Sequence, residues 1–200
     1  MSIYLVRHTT PAIARGICYG QSDLDVTDSF EQEANFIRQH LPADIIDVYT
    51  SPLQRCKKLA DHLFPHHSIH LIDHLMEINC GEWEMKNWDE IPTHETKAWM
   101  DNLIDEQIPG GESYMDLYLR VSKTFDHISQ QQKSVAIVTH GGVIRSILSY
   151  ITQTPLGDSF KVFSMHYGCV IKITRGNDGL QHEILSNIPH EKETHKPYHL

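Results

Sequence analysis

Apolar residues fall into short runs along this chain, and the breaks between them carry stop signals. Ser2 to Val6 is apolar and β-prone, and it ends abruptly in Arg7-His8, which predicts a buried strand opening into a loop. After a loop holding Gly, Pro and Asp, the segment from Thr27 or Asp28 to Leu41 puts Phe30, Ala34, Ile37 and Leu41 on one helical face, with Pro42 beyond its end. Ile45 to Thr50 reads as a second strand. Ser51-Pro52 then supplies a helix cap and a first-turn proline ahead of Leu53, Cys56, Ala60 and Leu63 at helical spacing. Ser68 to Ile72 predicts a third strand. The stretch from Asp73 to Pro109 is irregular, holds all three tryptophans and predicts short helices around Trp88 and Trp99, with the tryptophan rings expected in the core ahead of the alternative that they line a hydrophobic substrate pocket. From Glu112 to about Gln130, Tyr114, Tyr118, Val121, Phe125 and Ile128 mark a long amphipathic helix, with Gly111-Glu112-Ser113 as its cap. Ser134 to Thr139 is a further strand, ending in His140-Gly141-Gly142 before a helix from Val143 to Ile151. Two late β-rich runs, Gly168 to Thr174 and Leu180 to Ser186, flank Gly176-Asn177-Asp178-Gly179 and predict a hairpin.

This alternation predicts an α/β fold. It reads as a single-domain three-layer sandwich, with a mostly parallel central sheet, helices on both faces and a late antiparallel hairpin. The domain runs over 1–188, and 189–200 form a polar tail. Its 200 residues, 40% apolar and 22% charged, suit one domain with a real core and exclude disordered or collagen-like chains. No apolar run approaches the roughly 20 residues that cross a bilayer, and the N-terminus is charged too early for a signal peptide, so the expectation is cytoplasmic, with no membrane partner. A formal net charge of −9 without a basic block leaves nucleic acid no general attraction. Cys18, Cys56, Cys80 and Cys169 lack CxxC spacing and read as thiols. The many histidines lack metal-ligand spacing, so neither a metal nor another cofactor is expected.

Three strands end in polar signatures: Arg7-His8, Ser51-Pro52-Leu53-Gln54-Arg55, and His140-Gly141-Gly142. In an open α/β sheet the loops at the carboxyl ends of the strands share one crevice. Arg7, His8, Arg55 and His140 are therefore expected to converge as a cationic pocket suited to the oxygens of a phosphate, aided by helix N-termini at Ser51-Pro52 and Gly141-Gly142. His8 has the chemistry of a nucleophile. A proton donor is then expected among Glu77, Glu82 and Glu84, which follow the third strand.

Taken in order, Val6-Arg7-His8, Ser51-Pro52-Leu53-Gln54-Arg55, Leu75-Met76-Glu77 with Gly81-Glu82-Trp83-Glu84, Gly111-Glu112-Ser113, and Thr139-His140-Gly141-Gly142 resemble the histidine phosphatase (phosphoglycerate mutase-like) superfamily over nearly the whole chain. Cys18 to Gln21, Gly81 to Met85 and Gly168-Cys169 are similar, within it, to the α-ribazole-5′-phosphate phosphatases of cobalamin nucleotide-loop assembly. The resemblance implies a metal-independent phosphomonoesterase working through a phosphohistidine. His8 is its phosphoacceptor, Glu77 the leaving-group acid, and Arg7, Arg55 and His140 hold phosphoryl oxygens, with Gln21 and Gly141 as further substrate contacts. It implies a small phosphorylated metabolite as partner, α-ribazole 5′-phosphate first, and admits a homodimer. The chain departs from the family pattern at Thr9, where glycine is usual, which bears on substrate fit. The alternatives are a phosphoglycerate mutase or broad sugar phosphatase on the same site, and a non-catalytic phosphate- or phosphopeptide-binding module, against which His8 and Glu77 together speak.

Overall fold

Val135–Thr139 is buried at every position, and a strand so enclosed needs partners at both edges and cover on both faces. The computed structural model describes residues 1–131, 133–177 and 179–189, and it supplies both. The strands are β1 (Ser2–Arg7), β2 (Asp47–Thr50), β3 (Ile69–Leu71), β4 (Val135–Thr139), β5 (Val170–Gly176) and β6 (Gly179–Ser186), in the sheet order β3-β2-β4-β1-β5-β6. β1, β2, β3 and β4 run parallel, whereas β5 lies antiparallel to β1 and β6 antiparallel to β5. The hairpin therefore forms the edge beyond β1. Its Gly176 and Gly179 pair across the turn, while Asp178 lies outside the described residues, as do 190–200 of the polar tail.

The helices are α1 (Phe30–Arg38), α2 (Gln54–Leu63), α3 (Thr93–Asp101), α4 (Tyr114–Ser129), α5 (Gly141–Thr152) and α6 (Leu156–Val162). Strand alternation distributes them into two outer layers. Ile3, Leu5, Val135 and Ile137 face Leu117, Val121 and Phe125 of α4 and Val143, Ile144 and Ile147 of α5. Tyr4, Val6, Ala136 and Val138 face Ala34 and Ile37 of α1 and Cys56, Leu59 and Leu63 of α2. Each fully buried aliphatic chain in these clusters contributes about 1.5–3 kcal/mol. Among the described residues, no helix is long and apolar enough to cross a membrane.

The parallel register is what builds the site. Arg7 pairs with Thr139, and Thr50 pairs with both Val138 and Leu71, so the carboxyl ends of β1, β2, β3 and β4 are level.

Several boundaries differ from the sequence expectation, for local reasons. α2 begins at Gln54, with Leu53 at its N-cap: Asp23 takes the Gln54 N–H at 2.7 Å, and the Ser51 hydroxyl accepts from Leu53 N at 3.3 Å while lying 2.8 Å from His140 Nε2. α5 begins two residues early, with His140 as its cap. In α4, Leu117 fills the core while Tyr118 is only half-buried, and Ser113 and Asp116 close a capping box. α6, behind Pro155, was not anticipated. The tryptophan region folds as three short 3₁₀ turns and α3, with Trp83 buried and Trp88 and Trp99 stacked beside it. The four cysteines are buried and form no disulfide among the described residues.

Candidate active site

His8 leaves the end of β1 with its backbone held on both sides: its N–H donates to Thr139 O at 3.0 Å, and its carbonyl accepts from Gly168 N at 3.1 Å. Its Nδ1 lies 2.7 Å from Thr9 O. A carbonyl only accepts, so Nδ1 carries the proton and the lone pair sits on Nε2. That is the tautomer an attacking imidazole needs. The ring of His140, at the end of β4, stands 5.1 Å from it, edge to face. Thr9 is fully buried and is not part of the cavity lining, so the residue replacing the usual glycine does not intrude there.

His140 is also fully buried, and burial together with the Arg55 and Arg7 charges holds its pKa well below the ordinary 6.5. As a neutral imidazole it needs no counter-ion in this buried setting, where its Nε2 lies 2.8 Å from Ser51 Oγ. Behind it, burial pushes the Cys56 thiol up to about 12, which keeps it an inert packing group.

Arg7 extends from the last residue of β1 over the Tyr167 ring at 4.1 Å and donates to Met165 O at 2.6 Å. A side chain at 141 would bring its Cβ to 3.3 Å from Arg7 Nε, so Gly141 lets the guanidinium lie against the start of α5. Arg55 is fully buried, and its two terminal nitrogens donate to Ser22 O at 2.8 Å and Gly20 O at 2.7 Å. The four predicted phosphate-side residues therefore gather at the level carboxyl ends of β1, β2 and β4, with Arg7 and His8 lining the cavity and Arg55 and His140 fully buried outside its lining.

Glu77 approaches from the loop after β3. Its Oε2 accepts from Gly142 N and its Oε1 from Ile78 N, both at 3.0 Å. A Cβ at 142 would sit 2.3 Å from Oε1, so glycine there is a steric requirement of the carboxylate's position. Glu82 is exposed, and Glu84 binds a different loop, so of the three glutamates Glu77 alone lines the cavity. Gln21, anticipated as a substrate contact, instead donates its side chain to the Glu77 carbonyl at 3.0 Å, outside the cavity lining.

Arg120 of α4 was not anticipated. Its guanidinium donates to the carbonyls of His74, Met76 and Glu77 at 2.8 to 2.9 Å, and it pairs with Glu112 at 2.7 Å. Glu112 thus does more than precede a cap: with Arg120 it fixes the segment that delivers Glu77.

The cavity has a volume of about 380 Å³, within the range of small-metabolite sites. Arg7, His8, Glu77 and Gly141 form its polar floor, and Trp88, Trp99, Ile108, Phe160 and Phe163 contribute apolar wall. The expectation that the tryptophans belong to the core holds for Trp83, while Trp88 and Trp99 serve core and cavity at once. Arg145, one turn into α5, also lines the cavity. Its guanidinium lies 4.5 Å from the Phe160 ring, and its Nε is buried without a hydrogen-bond partner. Among the described residues, no group of three His, Cys, Asp or Glu could hold a metal ion.

Comparison with known proteins fits this geometry. The chain is 33% identical over 164 residues, 76% of its length, to a metal-independent phosphoserine phosphatase of Arabidopsis thaliana, covering 68% of that protein. It is 28% identical over 188 residues to the human 6-phosphofructo-2-kinase/fructose-2,6-bisphosphatase 1, of which it spans only 39%. Its fold superposes on the α-ribazole phosphatase from Shigella flexneri with a TM-score of 0.82 at 21% identity, over 92% of this chain and 95% of the other. Residues 3–188 match one family throughout, carrying the histidines, arginines and glutamate just described: the chain belongs to the histidine phosphatase superfamily, branch 1.

Proposed function

We propose that this protein is a metal-independent phosphomonoesterase acting through a phosphohistidine on His8. The observation that carries the reading is the pairing of His8, its Nδ1 proton tied to Thr9 O, with the Glu77 carboxylate on the floor of one cavity. In the first step His8 Nε2 bonds to phosphorus and the ester P–O bond breaks, while protonated Glu77 gives its proton to the departing alkoxide. In the second, water attacks phosphorus, the N–P bond breaks, and Glu77 takes the water's proton. Arg7, Arg55 and neutral His140 stabilise charge on the equatorial oxygens.

The substrate is a small phosphorylated metabolite with a large flat leaving group, α-ribazole 5′-phosphate first. Three things support this: the aromatic wall of Trp88, Trp99 and Phe160, the likeness of the Cys18 to Gln21 loop, and the fold shared with an α-ribazole phosphatase. The absence of a membrane-crossing helix among the described residues agrees with a cytoplasmic place for the reaction. A second reading has its own observation. Arg145, which lines the cavity and has a buried Nε without a hydrogen-bond partner, favours a leaving group bearing a second acidic function, as in phosphoserine or a phosphoglycerate. Phosphate release from a panel holding α-ribazole 5′-phosphate, phosphoserine, 3-phosphoglycerate and sugar phosphates separates the two. Preference for the first with no isomerised phosphoglycerate supports the primary reading. Preference for the acidic esters, abolished by Arg145→Met, replaces it with the second.

A further inference from the structure

Glu84 sits outside the cavity lining, yet its half-buried carboxylate accepts five hydrogen bonds. Oε1 accepts from Gln21 N at 2.7 Å and Cys80 N at 3.0 Å. Oε2 accepts from Gly20 N at 3.0 Å, from Ser22 N at 3.1 Å and from the Ser22 hydroxyl. Three successive backbone N–H groups thus converge on one anion, the arrangement of a backbone nest, with the anion supplied by the protein itself. A trans peptide points its N–H and C=O in opposite directions. Drawing Gln21 N–H toward Glu84 therefore turns the Gly20 carbonyl away from it, and that carbonyl, with the Ser22 carbonyl, receives the two terminal nitrogens of Arg55. The same segment admits no side chain at its first position, since a Cβ on Gly20 would lie 1.9 Å from Ile78 O.

We propose that Glu84 is a positioning residue for the phosphoryl clamp: it shapes the Gly20–Ser22 segment into the cradle that aims the Arg55 guanidinium. The proposal rests on the reading of Arg55 as a phosphoryl ligand. Burial pushes the Glu84 carboxyl up, but the Ser22 hydroxyl and the backbone N–H groups outweigh it and hold the group below its ordinary 4.5, so it is an anion throughout the neutral range. Charge and acceptor capacity are both needed. In Glu84→Gln, either orientation of the amide sets an NH₂ against at least two of the donors just named, so the segment must shift and Arg55 with it.

A double-mutant cycle on the purified full chain tests this. It uses Glu84→Gln, Arg55→Ala and the double variant, with kcat/KM on an alkyl phosphate and on p-nitrophenyl phosphate, the inhibition constant of vanadate, and thermal unfolding as readouts. Displacing a supporting group of this kind costs roughly 10- to 100-fold in affinity or rate. Glu84→Gln is expected to lose that much in vanadate affinity and to lose kcat/KM equally on both esters. In the Arg55→Ala background it is expected to lose almost nothing further. Ser22→Ala, which removes one donor and keeps the carboxylate, is expected to show the same pattern more weakly, and it carries the test should Glu84→Gln fold poorly. Full additivity with Arg55→Ala, or unchanged vanadate affinity in both the Glu84 and Ser22 variants, overturns the positioning role alone. Unchanged activity and vanadate affinity in Arg55→Ala itself overturns the clamp reading, and the proposal with it.

Discussion

Replacing Glu77 by Gln separates leaving-group catalysis from everything else the residue does. In the native site Oε1 receives Ile78 N–H and Oε2 receives Gly142 N–H. An amide keeps only one of these acceptors and sets its NH₂ against the other N–H. Stranding one buried donor costs about 1–3 kcal/mol, partly relieved here because the side chain borders the open cavity, so a drop in stability near the lower figure is expected. The catalytic effect is larger and selective. A positioned general acid contributes about 10²–10⁴-fold, or roughly 2.7–5.5 kcal/mol. It does so only where the leaving group needs a proton. The comparison is made on kcat/KM, which reports steps up to formation of the phosphohistidine, the only stage at which the leaving group is present. For a ribose or other alkyl phosphate, Glu77→Gln should lose about 10²-fold or more, whereas p-nitrophenyl phosphate, whose phenolate departs unaided, should lose under about tenfold. On both substrates kcat should fall, because hydrolysis of the phosphohistidine is shared and uses Glu77 as base. Equal losses in kcat/KM on the two esters, or a selective loss appearing in Glu82→Gln instead, would refute the assignment of the acid.

Arg55→Lys keeps the charge but not the fork that meets two carbonyls, and it should lose about 2.7–4 kcal/mol of transition-state stabilisation in kcat/KM, together with most of the vanadate inhibition. Gly142→Ala puts a methyl group 2.3 Å from Glu77 Oε1, so it should reproduce the leaving-group selectivity of Glu77→Gln in a protein that still unfolds cooperatively. His140, held neutral by burial and neighbouring cations, gives a pH signature. Below about 6.5 the unfolded chain takes up a proton that the folded one refuses, so stability falls with acidification by up to about 1.4 kcal/mol per pH unit. Thermal unfolding from pH 7.5 to 5.5 should show this extra slope in wild type and lose it in His140→Asn.

What was legible in the sequence follows from how local the signal is. β1 and β4 announce themselves as short apolar runs ending in Arg7-His8 and His140-Gly141, and the parallel register that levels them is a general property of such sheets. That places His8, Arg7, Arg55 and His140 together from the sequence pattern alone. Glu77 was legible only through its motif, since nothing in its spacing separates it from Glu82 and Glu84. Gly142 and the Arg120 guanidinium single it out, and both lie far along the chain. Arg120 itself looks like an ordinary polar position of an amphipathic helix, and Glu84 like an ordinary loop carboxylate. Their partners are backbone groups brought near by folding, which leave no mark on the side-chain pattern. The Ser51 hydroxyl accepts the Leu53 N–H ahead of the helix and also meets His140, a tertiary partner that no local preference shows. The α6 helix is too short to build a periodic stripe.

The central claim is the covalent bond between His8 and phosphorus, and trapping it tests the account most directly. Wild-type protein mixed with ³²P-labelled substrate and quenched in alkali should retain label on one peptide, the one containing His8, and that label should be lost in acid and survive in base. His8→Ala should retain none and turn over no substrate. Label that survives acid, label on a peptide without His8, or near-normal turnover in His8→Ala would contradict the account.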